Sequence, residues 1–325
     1  MEKVRVSYDR NYYKVFITLS EPVSFKLVKD PKHDLLALKM PLKGTYEAEY
    51  YSVLLKVGSG VLTLKVKNPK LDLARAWVSK KGRTLVVFIP FKKEGGKYVV
   101  VIDPGHGGHD AGAVYYGVKE KTINLQIAKK LAAYLKKDGR FVVYLTRSGD
   151  YFVPLGERQK FTSKVGADLF ISLHANANPY KRWKRGVEFY VLSDRGVYKK
   201  FVDLAADPKE AAHFLSWSIV KDKTLRKGVL KNTLAITQEE GEDLAEALQK
   251  VWCKRLKKLL PCRGIFHRNF AVLKVPGVPT VLVEVGYMTN YTDLRTITNS
   301  YYQWLIARAL YFGILDYLHL SPPKR

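Results

Sequence analysis

The sequence predicts an α/β protein: a mostly parallel sheet with helices on both faces, preceded by a small all-β sandwich. Three observations lead there. Residues 1–95 hold only short segments with apolar or β-branched alternation. From Val99 onward, apolar strands alternate with amphipathic helices, the pattern of a sheet covered on both sides. Between the two, "KKEGGKY" (residues 92–98) is a polar, glycine-containing linker, so the expected domains are 1–95 and 96–325.

In the first domain the candidate strands are "KVRVSYD", "YKVFITLS", "VSFKLVKD", "LLALKMPL", "SVLLKVGSGVLTLKVK" and "TLVVFIPF". Turn signals at Asp30-Pro31, Gly58-Ser59-Gly60, Asn68-Pro69 and Lys81-Gly82 separate them. In the second, "YVVVID" leads to a helix, "EKTINLQIAKKLAAYLKK", with Ile123, Ile127, Leu131 and Leu135 on one stripe. "FVVYLTR" is the next strand, "LGERQKFTSKVG" the next helix, and "DLFISLHAN" and "GVEFYVLS" are strands. A long helical region from about 197 to 258 follows, then strands "FAVLK" and "TVLVEVGYMTN" and a terminal helix "YYQWLIARALYFGILDYL".

The 325 residues are 47% hydrophobic, enough for a sizeable core. No apolar run approaches 18 residues, so no transmembrane segment is expected. The start "MEKVRVSYDRN" lacks the apolar centre of a secretion signal, so an exported protein would carry its signal outside this sequence. Lys plus Arg number 56 against 30 acidic residues, for a net charge of +26 spread along the whole chain. Such a surface suits polyanions in general, or is simply a solvated Lys-rich exterior. Cys253 and Cys262 fit either a short-loop disulfide or two buried thiols.

Three strands terminate in residues of metal-ligand type: "VVVIDPGH" at His106, "LFISLH" at His174 and "TVLVE" at Glu284. Sites in open α/β sheets form outside the carboxyl ends of strands, where distant positions become neighbours. Glu120 opens the helix after the glycine loop, where the helix dipole favours an ionised carboxylate. Two His and one Glu with an open position is a ligand set of catalytic zinc. The loop "GHGGHDAG" lacks a P-loop lysine and dinucleotide spacing, so a cation suits it better than a phosphate.

The segments "VVIDPGHGGHDAGA…GVKEKTINL", "LTRSGDYFVPLGERQKFTSKVGADLFISLHANA", "GVEFYVLS" and "FAVLKVPGVPTVLVEVGYMTN" occur in this order. Together they resemble the zinc-dependent N-acetylmuramoyl-L-alanine amidases, over residues 98–320. The resemblance implies one Zn2+ per chain, held by His106, Glu120 and His174, with Glu284 as catalytic glutamate. It also implies a peptidoglycan substrate, a cell-wall role in separation or remodelling, and a periplasmic or cell-envelope location. Tyr287 and Thr289 depart mildly from the family pattern, which often has Phe and Ser there. More weakly, the β-rich N-terminal segment resembles the AMIN-type wall-binding domains that precede some of these enzymes.

Other candidates are weighed beside these. His109 is a rival ligand or a support for His106, and His267 either lines the cleft or is a solvated surface residue. Arg147 and Arg158 make structural ion pairs or touch substrate. Asp103, Asp110, Asn176 and Asn290 suit turn-shaping roles, while His33, His213 and His319 stand in unremarkable contexts. Some related amidases carry a helical insertion over the zinc cleft that a partner protein displaces. Residues of about 197–235 would be that insertion, with Glu210 or Asp207 as the plugging carboxylate, unless they form an ordinary covering helix pair. The rival functions are a non-catalytic wall-binding protein of the same fold and a nucleic-acid-binding protein. The intact ligand set argues against the first. Against the second stand scattered charge and the lack of a stacking-platform motif, so no nucleic acid is expected.

Overall fold

The computed structural model describes residues 2–8, 12–30, 35–40, 46–50, 53–58, 61–66, 76–90, 97–215, 220 and 223–323. The chain divides into two compact units, Met1–Gly96 and Lys97–Arg325. Most of the expected linker lies outside the described residues.

Nine strands are described in the first unit: β1 (Lys3–Tyr8), β2 (Tyr12–Thr18), β3 (Lys26–Asp30), β4 (Leu35–Lys39), β5 (Tyr46–Tyr50), β6 (Val53–Gly58), β7 (Val61–Val66), β8 (Trp77–Lys81) and β9 (Thr84–Pro90). They form two antiparallel sheets, in the orders β1-β2-β9-β8 and β3-β4-β7-β6-β5. Alternate residues of both sheets (Val15 and Ile17, Leu36 and Leu38, Leu62 and Leu64, Val87 and Ile89) meet in one buried core, which makes the unit a sandwich. β5 and β8 were not among the expected strands. Both lie at sheet edges, and the charged residues of "YEAEY" and "WVSKK" break the apolar alternation by which a strand is read from sequence.

The second unit begins with β10 (Tyr98–Pro104), a small hairpin of β11 (Val114–Tyr115) and β12 (Val118–Lys119), and α1 (Glu120–Asp138). Then come β13 (Phe141–Leu145), α2 (Leu155–Lys164), β14 (Leu169–Asn176), β15 (Val187–Leu192), α3 (Asp194–Ala206) and α4 (Pro208–Ala211). α5 (Lys223–Leu256), β16 (Cys262–Arg268), β17 (Thr280–Tyr287), α6 (Tyr291–Thr298) and α7 (Ser300–Tyr317) complete it. The six-stranded sheet has the order β13-β10-β14-β17-β15-β16. Its neighbours pair in parallel except β15 with β17, which run antiparallel.

The predicted stripe of α1 is buried at all four positions, against the sheet face that α5 and α7 also cover through Leu248, Trp252, Leu310 and Ile314. On the opposite face Phe170, Tyr190 and Leu282 pack against Leu273, Val275 and Val278, with Phe161 of α2 beside them. Here the structure corrects the expected strand "FAVLK": Ala271–Leu273 is a single 3-10 turn, and the strand is the preceding "CRGIFHR". A short apolar run satisfies burial equally well as a plug on a sheet or a strand within it, and the run alone cannot tell which. Cys253 and Cys262 are bonded, their Cα atoms 5.7 Å apart, tying α5 to the start of β16. Asn290 caps α6 by accepting from the backbone N–H groups of Thr292 and Asp293. No described helix is long and apolar enough to cross a membrane.

Candidate active site

β10, β14 and β17 are adjacent and parallel, so their carboxyl ends lie side by side. His174 is level with Glu284 across β14 and β17, and Glu284 is level with Glu188 across β17 and β15. β10 ends at Pro104, and the chain then turns through Gly105 to His106, whose φ of 63° is left-handed. For a residue with a side chain that conformation costs about 1–3 kcal/mol and persists only where its surroundings impose it.

The surroundings do impose it. Buried Arg147 donates to the carbonyls of Pro104 and Gly105 at 2.9 Å each and to Lys121 at 2.7 Å. Arg158 donates to the carbonyl of His106 at 2.9 Å and forms a buried ion pair with Asp103 at 2.6 Å. Lys121 joins the carbonyl of Gly108 to Asp150, at 2.7 Å on each side. Both arginines therefore act as struts of the turn. Arg147 bonds only carbonyls among the described residues, so it makes no ion pair there and supports the His106 turn.

Three side chains converge above these strand ends. His106 Nε2 lies 3.2 Å and His174 Nδ1 3.0 Å from Glu120 Oε1, and one ligand atom from each residue falls within 4.8 Å of the others. Gly112 keeps this space open: at φ 65°, an added Cβ would meet Glu120 Oε2 at 2.6 Å and His106 Cδ2 at 2.7 Å. Burial alone would raise the Glu120 carboxyl, but hydrogen bonds and charge from both histidines outweigh it and hold the group ionised, far below the usual range. Burial pulls His106 down, while Glu120 and Asp110 more than compensate and leave it raised. Two imidazole nitrogens and one carboxylate oxygen, so spaced and without a fourth donor of this kind among the described residues, fit a metal ion of the type found in catalytic zinc sites.

Asp110, expected only as a shaper of the turn, accepts from Gly112 N–H at 3.0 Å and pairs with His106 Nδ1 at 2.8 Å. That bond fixes the ring so that Nε2 points into the cluster. Carboxylates behind a metal-binding histidine typically govern affinity by about 10–100-fold. Asp110→Ala is accordingly expected to weaken zinc binding by about that factor, measured by competition with a chromophoric chelator. Unchanged affinity would show that the bond does no such work.

Glu284 stands beside this cluster with Oε2 buried and without a hydrogen-bond partner among the described residues. Burial, then the nearby charges of Glu120 and Glu188, raise its carboxyl well above the ordinary value. Glu188 itself was missed by the sequence reading. It accepts from Tyr190 Oη at 2.6 Å, Tyr287 Oη at 2.7 Å, Arg263 Nε at 2.9 Å and Asn176 Nδ2 at 2.9 Å. A charged residue inside the apolar run "GVEFYVL" was the available signal.

The remaining candidates lie elsewhere. His109 packs its ring against Phe152 in a tilted arrangement, centroids 4.3 Å apart, and does not join the metal-type cluster. His267 pairs with Glu242 of α5 at 2.8 Å and is half exposed. Glu210 faces Lys160 at 3.6 Å and Lys200 at 4.0 Å, and Asp207 caps α4 through the N–H groups of Lys209 and Glu210. Neither stands at the cluster, so the expected plug is not formed by these residues in this conformation. Residues 216–219 and 221–222 of the expected insertion lie outside the described residues.

Residues 100–316 match the model of the N-acetylmuramoyl-L-alanine amidase family. The chain belongs to that family. It is an amidase by descent. AmiA of Escherichia coli (strain K12) is 35% identical over 246 residues, covering 70% of this chain and 78% of AmiA. AmiC of Escherichia coli O6:H1 is 33% identical over 225 residues, and the match spans only 52% of AmiC's length. Among solved structures, the AmiC2 amidase of Nostoc punctiforme aligns with a TM-score of 0.53 and 30% identity, over 69% of this chain and 98% of that one. The amidase of Clostridium difficile 630 aligns with the same TM-score at 27% identity, over 69% of this chain.

Proposed function

We propose that this amidase hydrolyses the amide between N-acetylmuramic acid and L-alanine in peptidoglycan with one Zn2+, using His106, Glu120 and His174 as ligands and Glu284 as the proton carrier. The observation that carries the reading is the convergence of those three ligands beside a buried, unpartnered Glu284 carboxylate oxygen. Zinc held by these residues would supply Lewis acidity toward the scissile carbonyl and lower the pKa of the attacking water. Glu284 Oε2 would take the proton of that water and deliver it to the leaving L-alanine nitrogen. Arg147, Arg158 and Asp110 hold the turn so that His106 need not reorganise during the reaction.

The wider setting follows from the same reading. The enzyme works in the periplasm or cell envelope in cell separation or wall remodelling, an oxidising setting in which the Cys253–Cys262 bond persists. The net charge of +26 favours adherence to an anionic wall, and the N-terminal sandwich serves as an AMIN-like wall-binding unit. The helical stretch of about 197–235 is the surface on which an activator protein would act.

Dye release from labelled peptidoglycan tests the reading. Purified protein is expected to carry one zinc per chain, to lose release completely on chelation and to regain it when zinc is added back. Binding to the wall without release, zinc present, would make the protein a non-catalytic wall binder. Release unaffected by a strong chelator, with metal removal verified by elemental analysis, would refute the assigned ligands.

A further inference from the structure

Three segments leave the strand ends that carry the metal-type cluster, and they meet on one exposed rim. The hairpin of β11 and β12 starts from a rung that pairs Ala113 with Glu120. Glu120 N–H donates to the Ala113 carbonyl and Ala113 N–H to Glu120 Oε2, both at 2.9 Å. The hairpin tip carries Tyr116, whose ring meets that of Tyr291 at the start of α6, centroids 6.3 Å apart. Residues 177–186, which follow β14, are pinned beside them. Asn178 N–H donates to Thr289 Oγ1 and Asn290 Nδ2 to the carbonyl of Arg182, both at 3.1 Å. Four rings on these segments stand in solvent: Tyr180 is 95% exposed, Trp183 71%, Tyr116 65% and Tyr291 62%. Exposed Lys181 and Arg182 lie between the first two in sequence, and neither has an acidic partner among the described residues. No Asp or Glu occurs in residues 111–119, 169–187 or 285–292. Asp293, which follows the last of these runs, is buried and paired with Arg185 at 3.3 Å.

We propose that this rim is a docking surface for an anionic lipid bilayer. Tyr and Trp rings settle at the headgroup level of a membrane, with their apolar bodies toward the acyl chains and their polar groups toward water. Lys and Arg beside them meet anionic headgroups, each strengthening adsorption about fivefold. A flexible polyanion without bases would use the cations and leave the rings idle. A neutral polysaccharide would use the rings and leave the cations idle. An anionic interface with an apolar interior engages both, and the acid-free sequence of the three segments removes what such a surface would repel. The loop is held in shape before contact, with Lys181 N–H also bonded to Asn178 Oδ1 at 2.9 Å, so docking has little order to create. Docking turns the ligand-bearing edge of the sheet toward the lipid. The inference does not depend on the amidase reading.

Sedimentation of the full chain with vesicles tests this at about 0.1 M salt, with phosphatidylcholine alone and in equal parts with phosphatidylglycerol. The wild type is expected to bind only the anionic vesicles. Lys181→Gln/Arg182→Gln is expected to weaken that binding about 25-fold, and Tyr180→Ala/Trp183→Ala about tenfold. Because the chain is basic throughout, Lys136→Gln/Lys137→Gln in the last turn of α1 serves as the charge-matched control. That end of the helix lies about 28 Å from Glu120, beyond the roughly 10 Å screening length, so a loss below about twofold is expected. Brominated acyl chains are expected to quench wild-type tryptophan fluorescence on docking, and that of Trp183→Phe distinctly less. The proposal is overturned by a wild type that ignores anionic vesicles, by equal losses in the two charge variants, by full binding of Tyr180→Ala/Trp183→Ala, or by equal quenching of Trp183→Phe. It is also overturned if the aromatic variant loses as much binding to oligothymidylate or to N-acetylglucosamine oligomers as to vesicles, which would make the rim a nucleic-acid or saccharide platform.

Discussion

Glu284→Gln is expected to lower peptidoglycan hydrolysis by about 10²–10⁴-fold while leaving zinc stoichiometry at one, because a positioned carboxylate contributes that much as general acid–base and Gln cannot carry a proton. The side chain keeps its length and shape, so the three ligands remain in place. A second signature separates lost chemistry from lost structure. In the metal-free protein the Glu284 carboxyl is raised above its ordinary value of 4.5 by burial and by the charges of Glu120 and Glu188. Between 4.5 and that raised value the folded protein holds a proton that the unfolded chain has released. Stability from this group is therefore fully present below 4.5 and is lost as pH rises through the raised value. Glutamine does not titrate. Chemical denaturation of the two metal-free proteins is thus expected to show the Gln variant gaining stability relative to wild type as pH increases. Activity above one tenth of wild type would remove Glu284 from the reaction, and a pH-independent stability difference would show that its carboxyl is not raised.

How far the site was legible depended on where each residue stood in the pattern. His106, His174 and Glu284 each follow an apolar run of a strand, which marked them as candidates from sequence, and the adjacency of their parallel strands then brings them together. Glu120 could be read from its place at a helix start. Glu188 could not, since its significance depends on β15 lying antiparallel beside β17, an order that periodicity does not encode. Asp110 looked like one more turn-forming aspartate, and only the fold shows its second oxygen on His106. The misread "FAVLK" and the overlooked edge strands share a cause: hydrophobic patterning reports burial, and burial is neither necessary nor sufficient for a place in a ladder. Glu210 and Asp207 were chosen for their charge, which lysines and a helix end already satisfy.

Beneath the metal-type cluster, Asp103 and Arg158 are both almost fully buried, and Asp103→Ala is expected to cost about 3–5 kcal/mol, because it strands the guanidinium without its counter-charge. Asp103 also accepts from Thr146 Oγ1 and from Ser172 Oγ at 2.7 Å, so one carboxylate links the ends of β10, β13 and β14. Arg158 carries that order upward, since it bonds the carbonyls of Val153, Pro104 and His106 as well as Asp103. Losing the aspartate should therefore loosen His106 from its left-handed conformation and weaken zinc binding together with stability. Arg158→Ala should do similar damage. The double variant should cost less than the two singles combined, because it leaves no unpaired buried charge, with a coupling of about 0.5–3 kcal/mol for groups in direct contact. Chemical denaturation of the four metal-free proteins and chelator competition on the same set measure both effects. Strict additivity would mean that the two residues support the turn independently, and a single-variant cost below about 1 kcal/mol would mean that water replaces the lost partner.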